Sequence, residues 1–491
     1  MIRKIYIILV SMVVLGISSC NDFLDLKPMS YPTDENFWQT DDDANSGVAA
    51  IYALIRQAFN YSGGMTFYAY GDFPSDEFTT SGGAPWMFNH VIDMNWSFAV
   101  PSSDTGNPLL RLRRYDIFYR AIDQANRVLK YVPDMSASAF ASEQARNRLI
   151  GEAYFCRAFV YFYMSRVWGG VPLVTETIQV DEAQDIDAVK AEEILDQCLQ
   201  DIASAKSLLS WDRGSSSTRA IRANKTALFA LEAHIHAWNQ DYTLCAEAAD
   251  SVLTYGGLAY VGRGESYKSI FVGQSNEGIF EISQNATNEG TVSGIGMNTL
   301  VEPYLRGRTG NPGLIISPTH IGSLYPTDDL RLTNAFDLQA SETSAVCTKY
   351  SNVTYTDETA NAIAVFKNNI IIFRYSDIKL LYAEALAATG REVAATSVLN
   401  EVRNQAGIGD WDLNGDLFEE IIAERGRELF LEGHRFYDLI RLGRFKGKLL
   451  FGSKMTATQF NAGKYYWPFD PSLLNVNRRL RQTSFWSTVN M

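Results

Sequence analysis

The stretch GEAYFCRAFVYFYMSRVWGGVPLV, residues 151–174, predicts a helix that is buried on most of its sides. Residues 149–167 are apolar nearly all the way round the predicted helix, which is typical of a helix packed inside a larger protein. Gly169 and Gly170, followed by Pro172, end the helix because these residues interrupt helical hydrogen bonding. We therefore expect this helix in the interior of the fold.

Helical periodicity also dominates the flanking segments. Apolar residues recur at steps of three and four over 115–129, and another helix is expected over about 189–209. Residues 228–253 and 378–402 each predict two helices joined by a short turn, at about the 34-residue length of a tetratricopeptide repeat. Each has a Glu-Ala pair in its first helix, where a small residue lets paired helices approach closely. The predicted fold class is mainly α, built from stacked helix pairs, with unrelated amphipathic helices as the alternative.

Two loop-rich inserts interrupt the helices, at 61–108 and 256–373. Both are rich in Gly, Asn, Ser, Thr and Pro, so only few short strands are expected. Long stretches of this kind inside a globular protein are usually functional or disordered. The inserts hold aromatic residues outside obvious helical stripes, which makes them candidates for ligand binding.

The N-terminus predicts export and lipid anchoring. Arg3 and Lys4 precede an apolar run over 5–15 that is too short to span a bilayer, so residues 1–19 are interpreted as a signal peptide. Residues 17–20, ISSC, resemble the bacterial lipobox, in which the cysteine thiol is acylated and Cys20 becomes the new N-terminus. Several acyl chains on Cys20 would give a stable anchor. A plain secretory signal with a chance cysteine is the alternative.

The composition narrows the possible partners. Lys and Arg number 43 against 56 Asp and Glu, a net charge of −13, which argues against a nucleic-acid partner. The remaining cysteines, Cys156, Cys198, Cys245 and Cys347, have no metal or disulfide spacing. They are expected to be reduced and buried, with a Cys198–Cys245 bridge left open.

The sequence contains none of the common catalytic motifs, and no metal or cofactor is predicted. His234 and His236 are two residues apart on a predicted helix and so point in different directions, which is poor geometry for one metal ion. The dense charges over 424–435 are spaced for ion pairs within one helix. Thr40 with the three aspartates at 41–43 predicts a capped helix start and not a calcium site.

Five stretches together resemble the SusD/RagB family of surface nutrient-binding lipoproteins. They are CNDFLD at 20–25 with Pro28, FYRAIDQANRVL at 118–129, the 151–174 stretch, FRYSDIKLLYAEAL at 373–386 with LNEVRNQAG at 399–407, and ERGRELFLEGHRFYDLIRLGRF at 424–445. The C-terminal end departs from the family pattern. No proline occurs at 477–478, and QTSFW at 482–486 replaces the usual Gln-Asn-Pro-Gly-aromatic close, so the path of this end is left open.

The resemblance implies a mainly helical protein with four tetratricopeptide-like helix pairs, a loop-rich remainder and few short strands. After the signal peptide at 1–19, we expect an N-terminal SusD-like helical region at 20–255 and a C-terminal RagB/SusD region at 256–491, together forming one compact unit. Such proteins are lids on a SusC-like TonB-dependent barrel at the cell surface of the outer membrane, and they are not enzymes. They bind a nutrient, most often an oligosaccharide. A peptide ligand, a scaffold without a ligand and a lipid-anchored glycoside hydrolase are the alternatives.

Glycan binding requires exposed aromatic rings, which stack on the C–H faces of sugars, and polar side chains, which pair with sugar hydroxyls. Trp86 and Trp96 are the first candidates in the earlier insert, followed by Tyr68, Tyr70 and Asp72. In the later insert the candidates are Asn298, Tyr304 and Arg306.

Overall fold

The computed structural model describes residues 37–78, 80, 88–177, 185–284, 294–359 and 362–489. Ten helices of twelve or more residues form the framework within these ranges. They are α1 Asp41–Phe59, α2 Asp116–Tyr131, α3 Glu143–Trp168, α4 Ala191–Ala205, α5 Lys225–Asn239, α6 Tyr242–Tyr255, α7 Tyr375–Ala388, α8 Glu392–Gln405, α9 Leu417–Glu428 and α10 Arg435–Lys446. Among the described residues, no helix combines the length and the hydropathy that a membrane crossing requires.

Short elements fill the segments between these helices. Short α-helices lie at Thr66–Gly71, Asn89–Ile92, Leu109–Leu112, Ser269–Val272, Ile295–Thr299, Pro318–Leu324, Leu330–Ala335, Ala457–Asn461 and Pro471–Val476, and 3-10 turns at Val132–Asp134, Ala137–Ala139, Gly452–Lys454 and Trp486–Thr488. The strands are β1 Gly278–Ile282, β2 Phe336–Asp337, β3 Val346–Cys347, β4 Val353–Tyr355, β5 Ala364–Phe366 and β6 Ile370–Arg374. They pair antiparallel as β1–β6, β2–β3 and β4–β5.

The long helices pack as successive pairs. Helix α1 packs on α2, α3 on α4, α5 on α6 and α7 on α8, while α2 also contacts α3 and α6 contacts α7. The two helix hairpins predicted from the sequence are therefore present as α5–α6 and α7–α8. Four helix pairs with a loop-rich remainder and short strands confirm the predicted fold class.

Helix α3 is the interior helix that the 151–174 stretch predicts. Its N-cap, Ser142, accepts the backbone N–H of Ala145, and nearly every residue from Leu149 to Trp168 is buried. The helix ends at Gly169, whose φ of +73° favours glycine. The next residue, Gly170, lies so close to the chain that an added Cβ would be 2.1 Å from the carbonyl oxygen of Val189. The Gly-Gly pair therefore permits both the turn and the close approach.

Helix α1 begins with the predicted cap. The Thr40 side chain accepts the backbone N–H of Asp43, and the Asp43 carboxylate accepts the backbone N–H of Thr40 at 2.8 Å. The hydrogen bond from the Thr40 hydroxyl is the main reason that the pKa of Asp43 is lowered. The acidic run is thus a helix start, as the sequence indicates.

The C-terminal segment takes a defined path despite its departure from the family pattern. The Gln482 side-chain amide donates to and accepts from the backbone of Phe469, at 2.7 and 3.0 Å. The Trp486 indole donates to the Tyr466 carbonyl, and its ring packs 6.2 Å from that of Trp96. Trp96 in turn stacks on Trp467 with centroids 4.2 Å apart. This C-terminal strap, residues 477–489, therefore closes over the core.

The charged motif at 424–435 lies in a buried ion-pair network. Arg263, Arg331 and Arg374 all contact the Glu428 carboxylate, and each of these four side chains is at most 1 % exposed. The predicted pairing within one helix occurs for Glu424 and Arg427, at 2.8 Å. As an account of the whole motif that prediction is wrong, because Glu428 and Glu432 pair with basic residues from 263–374, which brings distant parts of the chain together.

The four cysteines described by the structure are buried and unbridged, as expected. His234 lies in the core, where its Nε2 is 2.8 Å from Oδ2 of Asp377. Burial is the main cause of the lowered pKa of His234. This histidine is therefore a packed and hydrogen-bonded core residue.

Candidate ligand-binding surface

The later insert brings a small set of aromatic and charged side chains together on the surface. We call Lys268, Tyr304, Arg306, Asp337 and Tyr355 the Tyr304–Tyr355 patch. Strand β4 carries Tyr355 opposite Ala364 of β5, and β2 carries Asp337 opposite Val346 of β3. A separate apolar cluster lies beneath the patch and supports these loops; it comprises Leu300, Val301, Leu305, Val346, Ala364 and Phe366.

Tyr304 is fixed by two charged neighbours. Its hydroxyl donates to Oδ2 of Asp337 at 2.9 Å, and Nζ of Lys268 lies 5.3 Å from its ring centroid. Burial and then the Asp337 carboxylate raise the pKa of Tyr304. Burial would raise the pKa of Asp337, but hydrogen bonds from two backbone N–H groups and from Tyr304 lower it overall. Asp337 is therefore an ionised acceptor beside a half-buried ring.

Tyr355 is held by Arg306. The backbone N–H of Arg306 donates to the Tyr355 hydroxyl at 2.8 Å, and the guanidinium carbon lies 4.2 Å from the ring centroid. The side chain of Arg306 is 43 % exposed and lies 3.7 Å from the exposed carboxylate of Glu358. The patch thus offers two rings whose orientation is fixed, with donors and an acceptor at their edges. This is the combination that stacking on a sugar and pairing with its hydroxyls requires.

Asn298, the remaining candidate in this insert, does not join the patch in any described contact. Its side-chain amide donates to the Gly294 carbonyl at 2.9 Å and to Sδ of Met65 at 3.5 Å. It therefore tethers its own short helix to the segment that precedes Thr66–Gly71.

In the earlier insert, the prediction of exposed stacking rings is wrong for Tyr68, Tyr70 and Trp96. Their exposures are 3 %, 1 % and 0 %. Tyr68 packs edge-on against Tyr350 at 5.5 Å, Tyr70 donates its hydroxyl to the Leu112 carbonyl at 2.7 Å, and the Trp96 indole donates to the Val91 carbonyl at 3.1 Å. These rings hold the insert on the core and present no face to a ligand.

Asp72 is also a core residue. It is fully buried, and its Oδ2 accepts the backbone N–H of Gly433 at 2.8 Å. Burial raises the pKa of Asp72 well above its ordinary value. The prediction that Asp72 contacts a ligand at the surface is therefore wrong, and the residue ties the earlier insert to the turn before α10.

Trp86 and Cys20 lie outside the described residues, so their roles stay predictions. The sequence does contain a pattern that indicates burial of the Tyr68 and Tyr70 rings. Residues 65–73, MTFYAYGDF, are too densely apolar for an exposed loop, and the structure places a short helix there. Tyr355 and Lys268 were missed, because only β-pairing and the chain path bring Tyr355 beside Arg306 and Lys268 beside Tyr304.

The four stacked helix pairs place this protein in the class of tetratricopeptide-like helical-repeat proteins. Its loops add a surface aromatic patch. Two family models match the chain: the SusD family over residues 320–486, and a family described as starch-binding and associating with the outer membrane over 22–236. The chain belongs to the SusD/RagB family.

Individual relatives agree with this assignment. SusD-like protein P38 of Formosa agariphila is 27 % identical, with 89 % of this chain and 91 % of the relative covered. The crystal structure of a SusD homolog from Bacteroides thetaiotaomicron superposes with a TM-score of 0.79 at 27 % identity, covering 92 % of this chain and all of that one. The starch-binding protein SusD of the same species is 34 % identical over 120 residues, which cover 23 % of this chain and 21 % of that protein.

Proposed function

We propose that this protein is a lipoprotein of the outer-membrane surface that binds an oligosaccharide and delivers it to a SusC-like TonB-dependent transporter. The observation that carries the proposal is the Tyr304–Tyr355 patch, which presents fixed rings and polar groups on a protein of this family. The family description and the name of the starch-binding relative support a glycan as the ligand. The protein acts by binding and transfer, without cleaving its ligand.

The patch is tested by replacing both rings, Tyr304→Ala with Tyr355→Ala. Each ring lost from a sugar site removes a stacking surface and its buried area, so we expect affinity to fall about tenfold or more. Affinity gels containing soluble starch, laminarin, xylan and other polysaccharides measure this as lost retardation. Tyr255→Ala is the matched control, because Tyr255 is 63 % exposed and lies outside the patch.

Three results would contradict this proposal. Retardation that survives in the double variant would mean that the patch does not bind the glycan. Retention of peptides with no retardation by any polysaccharide would replace the glycan with a peptide ligand. Release of reducing sugar by the pure wild-type protein would make it a glycoside hydrolase.

The anchor is tested by Cys20→Ala. Without the thiol no acyl chain can be attached, so we expect a folded, ligand-competent protein that no longer fractionates with the outer membrane and no longer supports growth on its glycan. Fractionation, protease accessibility of whole cells and growth measure this. A Cys20→Ala protein that stays on the cell surface and supports growth would contradict lipid anchoring. Co-purification of the wild-type protein with a TonB-dependent barrel tests the partner.

A further inference from the structure

A cleft separate from the patch lies between α1, residues 217–222 and the end of β1. Its volume is 550 Å³, which falls in the range of small-ligand sites. Along α1 its wall consists of Ala49, Ala50 and Ala53, whose small side chains leave the space open. The other side carries Arg222 and Glu281. We call this the α1 cleft.

Glu281 is an unusual residue for the wall of a cleft, because it is only 1 % exposed and incompletely hydrogen-bonded. Its Oε2 accepts the backbone N–H of Gln274 at 2.8 Å and the side-chain amide of Asn369 at 2.9 Å. Its Oε1 has no hydrogen-bond partner among the described residues. Native proteins rarely leave a buried carboxylate oxygen without a donor, because the desolvation cost is then uncompensated.

The charged groups around Glu281 indicate which kind of ligand group could donate a hydrogen bond to its carboxylate. The Arg222 guanidinium makes two contacts with the fully buried carboxylate of Glu152, at 2.5 and 3.1 Å, and Arg148 reaches the same carboxylate at 3.4 Å, so this group of three carries a net positive charge. The Tyr52 hydroxyl also donates to Glu152, at 2.8 Å, which fixes this wall. Arg56 lies on the rim and donates to the Ser283 carbonyl at 3.2 Å. An ammonium ligand would meet two guanidinium groups here, whereas a neutral hydroxyl would not be repelled.

We propose that the α1 cleft is a second binding site, which takes one neutral hexopyranose unit, with a ligand hydroxyl donating to Glu281. The alanines and Ile282 provide an apolar wall for the C–H face of a sugar, and the serine hydroxyls and arginine N–H groups around the cleft provide donors. The inference rests on the proposed function in one respect, namely that the natural ligand is a glycan. The cleft shares no residue with the Tyr304–Tyr355 patch.

The test uses the full chain carrying Tyr304→Ala and Tyr355→Ala, so that the patch does not contribute. Saturation-transfer NMR with glucose, galactose and mannose at millimolar concentration should give signals for at least one hexose. Adding Ala53→Phe, which fills the cleft, should abolish them, and adding Gln57→Phe, on an exposed turn of the same helix, should not. Glu281→Gln keeps an acceptor for Gln274 and Asn369 but removes the charged acceptor, so we expect about tenfold weaker binding.

No signal with any of the three hexoses, or signals that persist in the Ala53→Phe protein, would overturn the proposal. Its failure differs from failure of the proposed function. If a polysaccharide retards the wild-type protein but the double variant gives no hexose signal, only the proposal of a second site is overturned. If hexose signals depend on the cleft but no polysaccharide retards the wild-type protein, the binding role of the patch is overturned and the second site is supported.

Discussion

Glu428 lies within the buried ion-pair network, where its carboxylate contacts three arginines. Its Oε1 lies 2.6 Å from Arg263 and 2.8 Å from Arg374, and its Oε2 lies 2.9 Å from Arg331. Burial would raise the pKa of Glu428, but the three guanidinium groups hold it well below its ordinary value. One buried carboxylate thus pairs with three buried guanidinium groups.

Replacing Glu428 with Gln should destabilise the fold by about 3–5 kcal/mol, because it leaves buried arginines without their counter-charge. Urea unfolding followed by circular dichroism measures the change. Glu419→Gln is the control on the same helix, since Glu419 pairs with Lys448 at the surface and should contribute less than about 1 kcal/mol. Equal effects of the two substitutions would show that the network contributes no more than a surface pair.

At the scale of single residues, the sequence predicted exposure least well. Trp96 and Tyr70 were assigned to the surface because they lie in a Gly-, Ser- and Pro-rich insert outside any helical stripe. Their burial depends on Trp467 and Trp168, which are distant in sequence, and composition carries no information on such contacts. Tyr304 packs only partly buried against the apolar cluster below the patch, and the side chain of Arg306 is 43 % exposed, so both reach the surface.

Among the elements, the C-terminal strap depends on one aromatic anchor. Trp486 is 2 % exposed and lies against Trp96, and its indole donates to the Tyr466 carbonyl. The strap is also held by the buried side chain of Leu480 and by hydrogen bonds such as those of Gln482 with Phe469. Loss of the anchor should therefore release the segment as well as leave a cavity.

Trp486→Ala should lower the free energy of unfolding by about 3–5 kcal/mol, the usual cost of truncating a buried aromatic residue. Thermal unfolding measures the loss, and limited proteolysis should show earlier cleavage after 477. Val476→Ala, at a side chain that is 80 % exposed, is the control and should change neither. A Trp486→Ala protein as stable as the wild type would mean that the strap is not anchored by this ring.

Helices with a strong periodicity of apolar residues were predicted well. Elements that depend on contacts between distant parts of the chain were not. Helix α3 and the α5–α6 and α7–α8 hairpins follow from apolar spacing, since each buries a stripe set by local sequence. The partners of the 424–435 motif could not be predicted, because Arg263 and Arg374 come from separate loops and strands. For the same reason the β4–β5 pair, which positions Tyr355, has no signal in the sequence beyond short apolar runs.

For the whole molecule, acid should cause a steep loss of stability below about pH 4. Glu428 and Asp377 have pKa values well below their ordinary ones, so the unfolded chain binds protons first as the pH falls. Burial lowers the pKa of His434 from its ordinary value of 6.5 to about 4, so this histidine also reduces stability as the pH falls through that range. Burial raises the pKa of Glu281 to about 7. The stability that the protonated Glu281 contributes at low pH is therefore lost as the pH rises toward 7. This change is opposite in sign to the change caused by His434.

The expected profile is therefore shallow between about pH 7 and 4 and steep below about pH 4. The thermal midpoint measured across this range at constant ionic strength checks it. A midpoint that stays level down to about pH 2 would contradict the ionised state assigned to the buried carboxylates.

The stack of Trp96, Trp467 and Trp486 joins an early part of the chain to its last residues. A ribosome releases Trp96 long before Trp486, so the aromatic cluster stays partly formed until the strap has been synthesised. A product that terminates early lacks this closing ring and retains exposed indoles, a form that chaperones and proteases recognise. A protected native state therefore requires that the strap be present.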